Sequence, residues 1–296
     1  MEAEARVQRL AETLPSSVFG RSVEGRPLRR FAFGPEDAER VTVVLGGIHA
    51  MEWIGVDAAC GLVERLAAEP PRDRRVWVAP LVNPDGASQV AADLGDGRRR
   101  FRRANARGVD LNRNWPTHWT AARFGTRLVP FLGHSGSGPA SEPEIRSLLE
   151  ALDRLEARGA RIDRALSLHS FGRMILHPYG GVWRRPHRYP EHRRAAEALQ
   201  AGIEGLRYRI TQSSRWVPGA FAPGMELDHL HERYGALALL VELGSGGLDA
   251  FDPYSWVEPT RWFYPPDSVD EVARVLPALL AFVAPEGGAT AAASGP

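Results

Sequence analysis

Short runs of β-branched and other apolar residues alternate along this chain with longer stretches whose apolar positions fall three and four apart. The first spacing is that of strands and the second that of helices with one buried face. Residues 40–46 (RVTVVLG), 75–82 (RVWVAPLV), 164–169 (RALSLH), 173–177 (RMILH), 208–211 (YRIT) and 236–243 (ALALLVEL) read as strands. Most of them are apolar throughout, which predicts burial on both faces. Residues 54–68, 142–157, 191–205 and 268–283 read as helices, with Ser141 and Glu144 spaced as a capping box before the second. Strands alternating with helices predict an α/β class. Two long stretches, 83–120 and 180–190, show no period, and loops of such length in a compact domain usually carry function or are disordered. No internal repeat or interior linker divides the chain, so one domain is expected over 1–285, followed by a Gly/Ala/Ser-rich tail, 286–296, expected to be disordered.

Composition narrows the possibilities. At 296 residues and 44% hydrophobic, the chain is ample for one core. Its 37 basic and 36 acidic residues leave a net charge of +1, so no field of one sign recommends nucleic acid or an anionic membrane as partner. The lone cysteine, Cys60, excludes an internal disulfide and reads as a small buried hydrophobe. Residues 1–14 carry three acidic groups and no apolar run of signal-peptide length, and no later run is long enough to span a membrane; a cytoplasmic location is expected.

Candidate chemistry begins where the first strand ends. His49 and Glu52 follow directly on Gly46 and Gly47, so both side chains emerge beyond the carboxyl edge of the sheet, where open α/β sheets bind ligands. An imidazole and a carboxylate three residues apart can converge on one ion if a third ligand comes from another strand end, and His169, closing RALSLH, fits. Two His and one Glu with water in the fourth position make an open catalytic zinc set. Alone, a His-x-x-Glu spacing is weak.

The surrounding motifs change its weight. GRSVEGRPL, HAMEW, NPDG, RAN, GVDLNRNW, SEPE, LHSFG with PYG, and LLVEL occur in that order from about Phe19 to Val283. By these motifs the chain resembles the zinc carboxypeptidase family over nearly its whole length. The resemblance implies a three-layer α/β/α sandwich with a mixed, largely parallel central sheet, the phosphorylase/hydrolase-like zinc peptidase fold. It implies one zinc ion on His49, Glu52 and His169, which lowers the pKa of its water to about 7. Glu242 is then the base that takes the water's proton and passes it to the leaving amine, and a Glu in an otherwise apolar strand suits that role. Arg103 matches the residue that polarises the scissile carbonyl, a donor whose loss costs about 3 to 4 kcal/mol of barrier. Asn112 and Arg113 match the pair that grips a terminal carboxylate. Asp110 backs His49, and Leu227 occupies the position lining the specificity pocket, which predicts an apolar terminal side chain. The implied partner is a peptide with a free C-terminal carboxylate.

The pattern also departs from the family. Met51 stands where many digestive members have arginine, Ala220 or Phe221 where a mobile tyrosine is usual, and Phe171 where a tyrosine follows the third ligand. These departures leave a second substrate class open, the carboxylate-bearing amides of murein peptides, and, from another class of function, an inactive binding module. The remaining histidines, His118, His134, His187, His192, His229 and His231, read as surface groups; His177 reads as part of the pocket wall. Among the eight tryptophans, Trp53 and Trp115 are expected nearest the site.

Overall fold

A strand that is apolar on both faces needs cover above and below, and β3 (Arg40–Gly46) has it: every position after the first is buried. This computed structural model describes residues 3–121, 134–216, 221–247 and 258–285. Within them β3 runs parallel to β4 (Arg75–Ala79) on one side and to β5 (Arg161–Ser170) on the other, and β5 runs parallel to β8 (Leu237–Leu243). Antiparallel pairs finish both flanks. β2 (Pro27–Phe33) joins β4 to β1 (Ser16–Arg21), while β6 (Met174–His177) pairs antiparallel with β8 and parallel with β7 (Arg209–Gln212). The order is β1-β2-β4-β3-β5-β8-β6-β7, a mixed sheet with a parallel centre.

Alternate side chains of the central strands feed two cores. Val44, Leu166 and Leu168 pack with α1 (Ala3–Thr13), α2 (Trp53–Ala68), α5 (Tyr189–Ala201) and α8 (Ser268–Val283). Val41, Val43 and Leu45 pack with α4 (Pro143–Ala157) and α6 (Glu226–Tyr234). Helices thus cover both faces, which is the three-layer α/β/α arrangement. Cys60 is fully buried in the first core.

Several boundaries differ from the sequence reading. The stretch 83–120 holds α3 (Pro84–Gly95), whose start is set by the Asn83 side chain accepting from Gly86 N at 2.9 Å and by Pro84 in the first turn. The capping box does not form: Ser141 Oγ donates to Glu142 at 2.9 Å, and the Glu144 carboxylate turns away to accept from Val23 N at 3.1 Å. Four elements lie outside the sequence expectation: β1 is an edge strand without a buried position, β2 carries two half-buried arginines in its middle, and the apolar stripes of α1 and α6 are short and rich in charge. The tail 286–296 lies outside the described residues.

Candidate functional site

The site is built where three parallel strands end. After β3, Gly47 takes a positive φ of 58°, and the turn that follows delivers His49 and Glu52 to the start of α2. Gly55, within the first turn of that helix, lies against β5 so closely that a Cβ there would stand 2.6 Å from the carbonyl oxygen of Leu168. The missing side chain lets α2 seat against the strand that ends in His169. Consequently Glu52 Oε1 lies 2.7 Å from His49 Nδ1, Glu52 Oε2 lies 2.8 Å from His169 Nδ1, and the two Nδ1 atoms are 3.1 Å apart. All three residues are buried, and among the described residues they form the cluster able to hold a metal ion.

The donor chemistry fits zinc. Each imidazole turns Nδ1 inward, while a carboxylate stands at its outer nitrogen: Asp110 Oδ1 at 3.1 Å from His49 Nε2, and Glu226 Oε1 at 2.8 Å from His169 Nε2. Two imidazoles oriented by carboxylates, with a further carboxylate between them, are the donor set of the open catalytic zinc site expected from sequence. Electrostatics agree with crowded charge. Burial alone would raise the Glu52 carboxyl, but His49 and His169 outweigh it and hold it far below the carboxylate range. Burial opposes charge on His169 as well, yet Glu52 and Glu226 lift it well above an ordinary histidine.

Asp110 organises the opposite wall. Its carboxylate accepts from Arg103 Nε at 2.8 Å and from Asn112 N at 2.9 Å. The second bond caps the short turn Leu111–Arg113. One buried aspartate therefore orients a proposed metal ligand, Arg103 and Asn112 through its carboxylate, and Arg113 through its backbone carbonyl, which accepts from Arg113 N at 2.9 Å. Burial is opposed by Arg103 and His49, which keep Asp110 well below the usual carboxylate range. For Arg103, burial is outweighed by Asp110 and Glu52, which raise it.

Glu242 comes from the third strand end. It pairs in register with His169 across β5 and β8, and its Oε2 atom is sealed from solvent without a hydrogen-bond partner among the described residues. Burial, with Glu52 adding repulsion, pushes this carboxyl up to about 8. His49, Glu52, Arg103, Asn112, Arg113 and Glu242 all line one cavity of about 340 Å³. Its remaining walls are largely apolar, formed by Phe101, Phe171, Leu176, Trp216, Phe221, Ala222 and Met225 with Trp262 and Phe263 of the short helix α7 (Thr260–Phe263).

Some expected residues are elsewhere. Leu227 does not line the cavity; it is 1% exposed and packs in the second core, because α6 turns that position toward the sheet. The apolar wall expected of it belongs to Leu176, Ala222 and Met225. His177 is buried beside Tyr189 and His192 instead of forming the wall. His192, His229 and His231 are buried too, not at the surface, since α5 and α6 present them inward. Trp53 donates to Ala50 O at 2.9 Å and Trp115 is fully buried, so Trp216 and Trp262 are the cavity tryptophans. Met51 is buried and its sulfur accepts from Arg102 N. Ala220 lies outside the described residues, whereas Phe221 is half-exposed at the mouth. Glu226 had no distinguishing signal, because an acidic residue opening a helix reads as a partner of the helix dipole.

Comparison with known proteins follows the same line. A family model described as Zinc carboxypeptidase matches residues 4–268. Carboxypeptidase B of Astacus astacus is 26% identical over 216 residues, covering 68% of this chain and 70% of that protein. Carboxypeptidase A6 of Mus musculus is 28% identical over 276 residues, and there the chain spans 85% of itself but only 61% of the relative. Among solved structures, thrombin activatable fibrinolysis inhibitor aligns over 95% of this chain and 71% of its own, with a TM-score of 0.73 and 21% identity. The murein-tripeptide amidase MpaA of Escherichia coli O157 aligns over 86% of this chain and 94% of its own, with a TM-score of 0.51 and 22% identity. At such identities these two likenesses speak to the fold.

Proposed function

This chain belongs to the zinc carboxypeptidase family, and from that premise we propose that it is a metallocarboxypeptidase that hydrolyses the C-terminal peptide bond of peptides. The observation that carries this reading is the convergence on one cavity of two members of a three-donor metal cluster, His49 and Glu52, with a carboxyl that has an unpaired oxygen and two arginines. His49, Glu52 and His169 would hold the zinc. When bound, the metal supplies Lewis acidity and makes water a competent nucleophile near neutral pH.

The chain's own groups do the rest. Glu242 takes the proton of the attacking water and returns it to the leaving amine; it lines the cavity, and its Oε2 has no hydrogen-bond partner among the described residues. Arg103, held at its Nε by Asp110, offers its remaining N–H groups to the carbonyl oxygen as negative charge builds there. Arg113, with Asn112, binds the substrate's terminal carboxylate through the planar guanidinium fork. A carboxylate arriving there finds a cation that burial makes costly to leave unpaired. The apolar walls favour an apolar terminal side chain over a charged one.

A second reading keeps these residues and changes the substrate to a carboxylate-bearing murein peptide. Phe171 and Phe221 favour it, since both line the cleft without the hydroxyl groups that a family tyrosine would offer. One experiment separates the two: metal analysis joined to a substrate panel of blocked dipeptides with apolar, basic and acidic ends against diaminopimelate-containing murein peptides. We expect zinc in the protein and release of single amino acids from apolar-ended dipeptides, abolished when the terminal carboxylate is amidated. Cleavage of the murein set alone would overturn the first reading. Among the described residues no helix is long and apolar enough to cross a membrane.

A further inference from the structure

We propose that Glu226 is a positioning residue that fixes the tautomer of His169 and strengthens it as a zinc ligand, so that both metal-binding imidazoles are backed by buried carboxylates. The inference rests on the proposed zinc site and adds to it a residue that the reaction itself does not use. Glu226 is fully buried at the first position of α6. Its Oε1 accepts from His169 Nε2 at 2.8 Å and from Ser167 Oγ at 2.9 Å, whereas Oε2 is sealed from solvent with no hydrogen-bond partner among the described residues. A carboxyl group buried with one oxygen unpaired is costly for the fold. A glutamine of the same shape could accept the same bond, so the geometry alone does not account for a glutamate.

A carboxylate can only accept. It therefore holds the proton of the neutral His169 ring on Nε2 and leaves the Nδ1 lone pair facing Glu52 and His49. A full negative charge at the outer nitrogen also makes the ring a better donor. Glu226 is further tied to the rest of the centre. Its backbone N–H donates to Asn112 Oδ1 at 3.1 Å, and Asn112 N donates to Asp110 Oδ1, which stands against His49. A continuous chain thus runs from one proposed ligand to the other through both carboxylates, with the substrate-gripping Asn112 in its middle. His49 and His169 are oriented as a pair.

The test is zinc affinity measured by competition with a chromophoric chelator, for the full chain and for Glu226→Gln. We expect the dissociation constant to rise by about 10- to 100-fold in the variant. The visible bands of the cobalt(II)-loaded form should shift as well. Ser167→Ala removes a hydroxyl that bonds the same carboxylate oxygen and stands 3.0 Å from His169 Nε2, but it leaves the charge, and it should cost about threefold or less with an unchanged cobalt spectrum. An unchanged zinc affinity in Glu226→Gln overturns the inference. A parent chain that takes up no zinc overturns the zinc reading instead. If Glu226→Gln fails to fold, NMR of the zinc-loaded parent decides: an exchange-protected proton on His169 Nε2 supports the assignment, and a proton missing from that nitrogen overturns it.

Discussion

His49 and His169 meet with their ring centroids 4.8 Å apart, and His192 and His231 meet at 4.6 Å, both edge to face. The two pairs are equally buried, yet their partners differ. At the metal centre, carboxylates stand at both nitrogens of each ring: Glu52 and Asp110 for His49, Glu52 and Glu226 for His169. In the second cluster, His192 donates to Arg188 O and accepts from Ala238 N, His231 donates to Ala236 O, and His177 donates to Pro178 O. Backbone groups and other imidazoles replace the carboxylates there. Burial then wins: His177 and His231 are lowered and His192 falls to about 3, while His169 is raised. A buried histidine pair becomes a candidate metal site through the acids around it, because only they repay the desolvation of a cation.

The largest expected effect breaks the comparison at the rings themselves. His169→Ala should abolish zinc uptake and activity together, whereas His231→Ala, in a pair of the same geometry, should leave one zinc per chain by elemental analysis. Zinc lost equally from both variants would mean that the carboxylates do not distinguish the pairs. Next comes the unpaired acid. Glu242→Gln should retain zinc and lose about 10²- to 10⁴-fold in kcat, the usual contribution of a positioned base. Full activity would assign the proton transfer to another group. Smaller still, Arg113→Ala should lower kcat/KM by roughly 30- to 1,000-fold, or about 2 to 4 kcal/mol, mainly through KM. A loss confined to kcat would move Arg113 from gripping the carboxylate to the reacting bond.

How much of this could be read from the chain follows from the same contrast. β3 and α8 carry long, clean periods, and both were legible to the residue. His49, Glu52 and His169 were legible because each stands at the end of a buried strand or in the turn after it, so topology forces them to one edge of the sheet. The second histidine cluster was not. Nothing in His192 or His231 says that α5 and α6 turn them inward; that depends on where each helix docks. Glu226 and Leu227 were exchanged in importance for a related reason. Adjacent residues on a helix point about 100° apart, and only the docking of α6 decides that Glu226 meets His169 while Leu227 enters the core.

The smallest effect sharpens the comparison through acid stability. Burial drives His192 down to about 3 and His229 down to about 4, so the folded chain keeps both rings neutral. Unfolded, both protonate near 6.5. As pH falls below 6.5 the unfolded state binds protons that the folded state refuses, so stability drops across the window from 6.5 to between 4 and 3. Each pH unit well inside it costs up to about 1.4 kcal/mol per histidine. His169 has the opposite sign: its raised pKa makes protonation favour the metal-free fold, and that support disappears as pH rises through the raised value. Urea unfolding of the metal-free protein at pH 7.5 and pH 5.5 reads the balance. His192→Gln should flatten the acid loss, because glutamine can still accept from Ala238 N but cannot take up a proton. The groups facing that ring, His177, His231 and Arg188, stay in place to oppose charge there. An unchanged acid slope in His192→Gln would show that His192 is not held neutral, and the carbonyl-lined cluster would then not differ from the carboxylate-lined one in excluding charge.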